Sequence, residues 1–143
     1  MPRIKIALPQ NFSFSTTIPI RITDVNYGGH VGNDTVLSLI HEARMQFLKS
    51  HHYTELDFAG TSLIMSDVAI EFKNELFYGD VVTAFVGADD FTRVGFDLYY
   101  KLTKIVNGIE TIFATSKTGM ICFDYNHRKV VPVPAGVKEK ISQ

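Results

Sequence analysis

The sequence has a single cysteine, Cys122, and no tryptophan in 143 residues. One thiol excludes an intrachain disulfide framework and argues against a metal centre built on cysteines. His41, His51, His52 and His127 show no metal-ligand spacing with partners, so no metal and no cofactor are expected. Long apolar runs are missing too: none approaches the ~20 residues of a membrane span. The stretch MPRIKIALPQNFSF holds two basic residues, but Pro9 and polar neighbours interrupt its apolar part. A secretory signal needs a longer apolar core. An excess of one charge is also absent, with 14 Lys and Arg against 15 Asp and Glu. Nucleic-acid binders usually carry a basic face, and no polybasic membrane signal is present. The expectation is a cytoplasmic protein with no nucleic-acid partner and no membrane partner.

What the chain does have is aromatic: 11 Phe and 6 Tyr, many in alternating runs, within a composition 45% hydrophobic and 20% charged. That is an ordinary soluble globule, and alternating aromatics favour sheet. Residues 1–143 are expected to form one domain, which at this size buries roughly two thirds of its unfolded surface. Residues 14 to 23 are Thr/Ile-rich and read as a strand, with Pro19 indicating an edge or a bulge. A polar loop follows over 24 to 32. Asn33 or Asp34 is placed to cap a helix. Val36, Ile40, Ala43 and Phe47 then recur at helical spacing, with Leu39 beside them, to about Ser50. After that the period is two. Val68, Ile70 and Phe72 alternate with Ala69, Glu71 and Lys73; Val94 to Thr103 alternate likewise; 81 to 87 and 109 to 123 are further β-rich runs. Turn residues separate them at 78 to 80, 89 to 90, 107 to 108 and 124 to 126. Pro134 suits the opening of a short terminal helix. Strand, helix, then four strands is an α+β order.

The stretch TDVNYGGHVGND, Thr23 to Asp34, and the helix after it carry a resemblance. Asp24, then Gly29-His30-Val31, then Glu42-Ala43-Arg44 on the helix resembles the hotdog-fold acyl-CoA thioesterases of the 4-hydroxybenzoyl-CoA thioesterase type. IEFKNELFYGDVV, Ile70 to Val82, resembles the family's second strand, its turn and the next strand. VVPVPAGV resembles its C-terminal ending. The resemblance covers nearly the whole chain. It implies a long central helix wrapped by an antiparallel sheet of about five strands, an acyl-CoA substrate, and a homodimer or homotetramer built by edge-to-edge strand pairing. One departure matters. The family commonly has Asp-x-Asp-x-x-Gly before the helix, and its second Asp is the usual catalytic carboxylate. Counting back from Gly29, that position is Asn26, and Asp24 matches the first acid. Where the family tends to have His-Val-Asn-Asn, this chain has His30-Val31-Gly32-Asn33.

Thioester hydrolysis needs donors for a developing oxyanion, an attacking group, and room for the acyl chain and the CoA arm. A helix N-terminus supplies donors, and Gly28 and Gly29 allow close backbone approach. The rival reading makes those glycines only a strand-to-helix connection. An amide cannot be a general base, but Asn26 can donate to an oxyanion or position water. Glu42, beside Leu39 on the helix, is the first candidate base or nucleophile; its alternative is a surface carboxylate pairing with Gln46. Asp24 is the second, against a role in tying down loop N–H groups. His30 either orients the reacting groups or only holds the loop. Tyr27 lines an acyl pocket or packs. Arg93 meets a CoA phosphate or is a solvated turn residue. Cys122 falls in a strand and reads as core. Two rival functions stay open: an acyl-thioester hydratase or dehydratase using His30 and an acid, and a non-catalytic acyl-CoA-binding protein that lacks the acid at Asn26.

Overall fold

A computed structural model describes residues 3–142. Its elements run β1 (Phe14–Pro19), α1 (Asn33–Ser50), β2 (Ser62–Phe72), β3 (Val81–Asp89), β4 (Gly95–Val106), β5 (Ile109–Asp124), β6 (Lys129–Val130) and α2 (Val137–Ile141), with a 3-10 turn at Ile22–Asp24. The strands form one sheet in the order β1-β3-β4-β5-β2, with β6 paired to β5, and every pairing is antiparallel. One long helix against an antiparallel sheet is the hotdog arrangement that the resemblance implied.

The apolar stripe of α1 explains why the sheet closes on it. Ile40, Ala43, Phe47 and Leu48 are completely buried. They meet a layer that includes Val82, Ala84 and Val86 of β3 and Leu98, Tyr100 and Leu102 of β4, also fully buried. Each Val, Leu, Ile or Phe among them contributes about 1.5–3 kcal/mol on leaving water. Cys122 belongs to this core, and burial pushes its thiol pKa up, so it is not a nucleophile. No helix among the described residues is long and apolar enough to cross a membrane.

Boundaries differ from the sequence expectation in four places. The first strand stops at Pro19 instead of residue 23, because the chain turns into the 3-10 segment. β2 begins at Ser62, ahead of the alternating run expected from 68, and carries a bulge between Met65 and Asp67 that breaks the period there. The cap of α1 is Gly32, not Asn33 or Asp34, and it makes no side-chain capping bond. α2 begins at Val137, with Pro134 ahead of it accepting the Val137 N–H through its carbonyl at 3.3 Å.

The outer strands of the main path are β1 and β2. Pro19 sits on β1, an edge as expected. β2 offers Met65, Val68 and Phe72 at 40%, 40% and 46% exposure.

Candidate active site

The glycine-rich stretch folds as a tight hairpin. Val25 and Val31 bridge. The Asn26 N–H donates to the His30 carbonyl at 3.0 Å, and the Gly29 N–H donates to the Asn26 carbonyl at 3.0 Å. A turn of this kind ends in a left-handed residue, and Gly29 fills the place at φ +84°. The Asn26 side chain closes the turn a second time, its Oδ1 accepting the Gly28 N–H at 2.9 Å. With that oxygen engaged, Nδ2 is left as a donor without a hydrogen-bond partner among the described residues. Tyr27 stands at the tip, fully exposed, and does not line a cavity with Asn26.

His30 and Val31 are stitched to the segment after β2. His30 bridges Phe77, their rings meet edge to face at 6.4 Å, and the Val31 N–H donates to the Leu76 carbonyl at 2.8 Å. These contacts bring Phe72, Asn74, Glu75 and Leu76 opposite the start of α1. Between them lies an open cavity of about 400 Å³. Asn26, His30, Asn33, Asp34, Asn74 and Glu75 form its polar lining with the Gly32 backbone, and Val31, Val36, Phe72, Leu76 and Phe113 its apolar lining. His30 Nε2 is 4.0 Å from Glu75 Oε1.

The helix start gives the cavity its donors. The Gly32 carbonyl accepts the N–H groups of Thr35 and Val36 at 3.0 and 3.2 Å. The N–H groups of Asn33 and Asp34 precede that first intrahelical bond and have no partner among the described residues. Free N–H groups at a helix N-terminus, with its positive dipole end, favour a developing negative charge. Asp34 Oδ1 and Asn26 Nδ2 lie 2.7 and 3.6 Å from the point where a Cβ on Gly32 would stand.

The other expected residues lie elsewhere in the chain. Asp24 Oδ2 accepts the Arg21 N–H at 2.8 Å, the structural role that the sequence left open for it. Glu42 Oε2 accepts from Gln46 Nε2 at 2.9 Å. Asp24 and Glu42 share a groove between α1 and β1, and Glu42 also borders a larger one of about 850 Å³ with Phe14, Tyr53 and Lys49. That is the β1 side of α1; the Asn26 cavity opens toward the end of β2. Arg93 lies at the far end of the sheet. Phe72, on the cavity wall, pairs with Ala114, whereas Gly95, beside Arg93, pairs with Ile121. At ~3.3 Å per residue that stretch of β5 measures about 23 Å.

The residues that sequence reading missed are Asp34, Asn74 and Glu75. Asp34 was legible only as a helix cap. Asn74 and Glu75 reach the cavity through the His30–Phe77 bridge, a long-range pairing with no local signal.

The sequence matches the family model described as the thioesterase-like superfamily over residues 20–141. Comparison with curated protein sequences returns no significant match. Similar solved structures include a predicted thioesterase from Bacillus stearothermophilus, 21% identical, with a TM-score of 0.76 over 90% of this chain and 92% of that one. A 1,4-dihydroxy-2-naphthoyl-CoA thioesterase from Synechocystis is 20% identical, with a TM-score of 0.79 over 90% and 94%. A 4-hydroxybenzoyl-CoA thioesterase, an Asp-to-Asn mutant complexed with 4-hydroxybenzoyl-CoA, is 15% identical, with a TM-score of 0.82 over 90% and 98%.

Proposed function

Because the chain belongs to the thioesterase-like superfamily, we propose that it hydrolyses an acyl-CoA thioester to the free acid and CoA at the Asn26 cavity. One observation carries this reading: the unpartnered Asn26 amide and the free N–H groups of Asn33 and Asp34 border the same cavity. That set of donors suits a thioester oxygen that becomes an oxyanion when the carbonyl carbon is attacked. The apolar wall of Val36, Leu76, Phe72 and Phe113 suits the acyl group. His30, held by Phe77 and close to Glu75, borders the same cavity and orients the polar groups around it.

The working unit in this proposal is a homodimer or homotetramer. β2 is an edge strand with a partly exposed apolar row, and such edges invite pairing. The outer face of the sheet is less open. There the Ile6 N–H donates to Glu71 and Phe12 packs on Phe85. Antiparallel pairing of β2 with a second copy places the far end of one sheet, with its Arg93, on the same side as the other copy's Asn26 cavity.

The experiment is thiol release from a panel of straight-chain and aromatic acyl-CoAs, followed with a colorimetric thiol reagent. Hydrolysis of at least one member is the expected result. Loss of an enoyl-CoA absorbance without thiol release identifies a hydratase. Binding with neither reaction identifies a non-catalytic acyl-CoA carrier.

A further inference from the structure

Given hydrolysis at the Asn26 cavity, a carboxylate is still needed, because Asn26 holds the place where the resembling family has its acid. We infer that Asp34 is the general base of the reaction. Three observations lead there. Asp34 is the second residue of α1 and its side chain lines the cavity. Neither its carboxylate oxygens nor the Nδ2 of Asn26 have a hydrogen-bond or ion-pair partner among the described residues. Carboxylates outside the cavity are engaged, as Asp24 with Arg21, Asp80 with Lys104, Asp67 with Lys117 and Glu42 with Gln46, and the cavity's other carboxylate, Glu75, faces His30 at 4.0 Å.

The third observation is Gly32. Its φ of −72° and ψ of 158° are open to any residue, and Ser, Thr, Asp or Asn is the usual choice for a helix cap. Glycine is therefore not required by the backbone here. What glycine permits is close approach of the carboxylate: a Cβ at 32 would stand 2.7 Å from Asp34 Oδ1, too close to be tolerated, and 3.6 Å from Asn26 Nδ2. The Asp34 carboxylate and the Asn26 amide therefore lie on the same side of Gly32.

In the proposed step, Asp34 takes a proton from a water in the cavity as the water oxygen bonds to the thioester carbon. The carbonyl electron pair moves onto oxygen, where the helix N–H groups and the Asn26 amide meet the charge. Collapse breaks the C–S bond, and Asp34 returns the proton to the leaving thiolate. One water and one thioester become one acid and one thiol, with no other reactant.

The test is kcat and its pH profile for Asp34→Asn, Gly32→Ala, Glu42→Gln and Glu75→Gln, on the acyl-CoA that the wild type cleaves fastest. Circular dichroism checks that each variant is folded. Asp34→Asn is expected to lower kcat by ~10²–10⁴, the usual effect of losing a general base, and to abolish the ionisation that governs the acidic limb of the wild-type profile. Gly32→Ala, whose methyl would collide with Asp34 Oδ1 and displace the carboxylate, is expected to lower kcat by roughly 10² with the fold kept. An active wild type whose Asp34→Asn variant keeps its rate and its acidic limb overturns the assignment alone. So does a collapse confined to Glu42→Gln or Glu75→Gln. A wild type that releases no thiol from any acyl-CoA overturns the hydrolysis reading and this assignment with it.

Discussion

Asn26 has two jobs that pull on the two ends of one amide. Its oxygen closes the hairpin through Gly28, and its nitrogen is left for the cavity. Asn26→Ala removes both and is expected to lower kcat by ~10²–10³ as an oxyanion donor is lost. Asn26→Asp is the sharper experiment. A carboxylate still accepts the Gly28 N–H, so the turn is kept, but the donor is replaced by a negative charge beside the developing oxyanion. In an enzyme with its base elsewhere, the rate falls. A rise in rate would show that the protein is a thioesterase relative lacking only the acid. Gly29 works through its backbone. At φ +84° with open space around it, Gly29→Ala meets no clash, so its cost is conformational, about 1 kcal/mol. A shift of the urea midpoint measures it, and no shift would mean that the turn relaxes without the left-handed residue.

Among the elements, α1 carries both the core and a buried charge. Arg44 is only 5% exposed. Its Nη1 donates to the Tyr100 hydroxyl at 3.3 Å, and that hydroxyl shares a hydrogen bond with Thr118 Oγ1 at 2.8 Å. Glu55 stands 3.7 Å from the Arg44 Nε. Tyr100→Phe keeps the ring and removes the hub, leaving Arg44 and Thr118 short of a partner. Its expected cost is about 1–3 kcal/mol, read from denaturant unfolding; a neutral result would mean that the guanidinium finds Glu55 instead. The C-terminal end of α1 carries a pH dependence. Burial, then the charges of Lys140 and His52, lower the pKa of His51 below 6.5. The unfolded chain therefore binds a proton at His51 before the folded one does. Stability is complete above 6.5 and is lost as pH falls toward the depressed folded value. His51→Gln is expected to flatten that slope in urea midpoints measured as a function of pH, and an unchanged slope would assign the dependence to other groups.

For the whole molecule, the open feature is β2. If two copies join there, light scattering gives a multiple of the 16.1 kDa chain mass. Val68→Lys, which puts a charge in the exposed apolar row, is expected to dissociate the assembly and reduce hydrolysis together. A stable monomer of the wild type at micromolar concentration would defeat the oligomer proposal. Arg93 belongs at the same scale, since one chain keeps it about 23 Å along β5 from the cavity wall. In the proposed antiparallel pair it would lie on the side of the other copy's cavity. Arg93→Ala is then expected to raise KM several-fold with kcat nearly unchanged, the pattern of lost uniform binding. An unchanged KM leaves it a solvated turn residue.

The elements were legible from the chain because they rest on local periodicity. The spacing of Val36, Ile40, Ala43 and Phe47 marks a helix whatever it packs on, and the alternation from Val94 to Thr103 marks a strand. Asn-Gly and Gly-Asp turns set two of the four breaks and Asp-rich turns the others, and the hairpin at Asn26 was recognisable as special because glycine, amide and histidine seldom crowd together without a reason. Boundaries were lost where a bulge or a 3-10 turn interrupted the period, as at Met65 and Ile22. The composition of the cavity was legible only in part: Asn26 and His30 were candidates from the chain, Asn74 and Glu75 were not. Asp24 is close to Asn26 in sequence and Glu42 follows on α1, yet the 3-10 turn and the helix face place both on the β1 side of α1. Asp34 and Glu75 line one cavity with Asn26 because Gly32 lets the Asp34 carboxylate lie close to the backbone and because His30 bridges Phe77 across the fold. Side-chain direction around a helix and pairing between distant strands depend on packing of the whole sheet, and only the tertiary structure decides them.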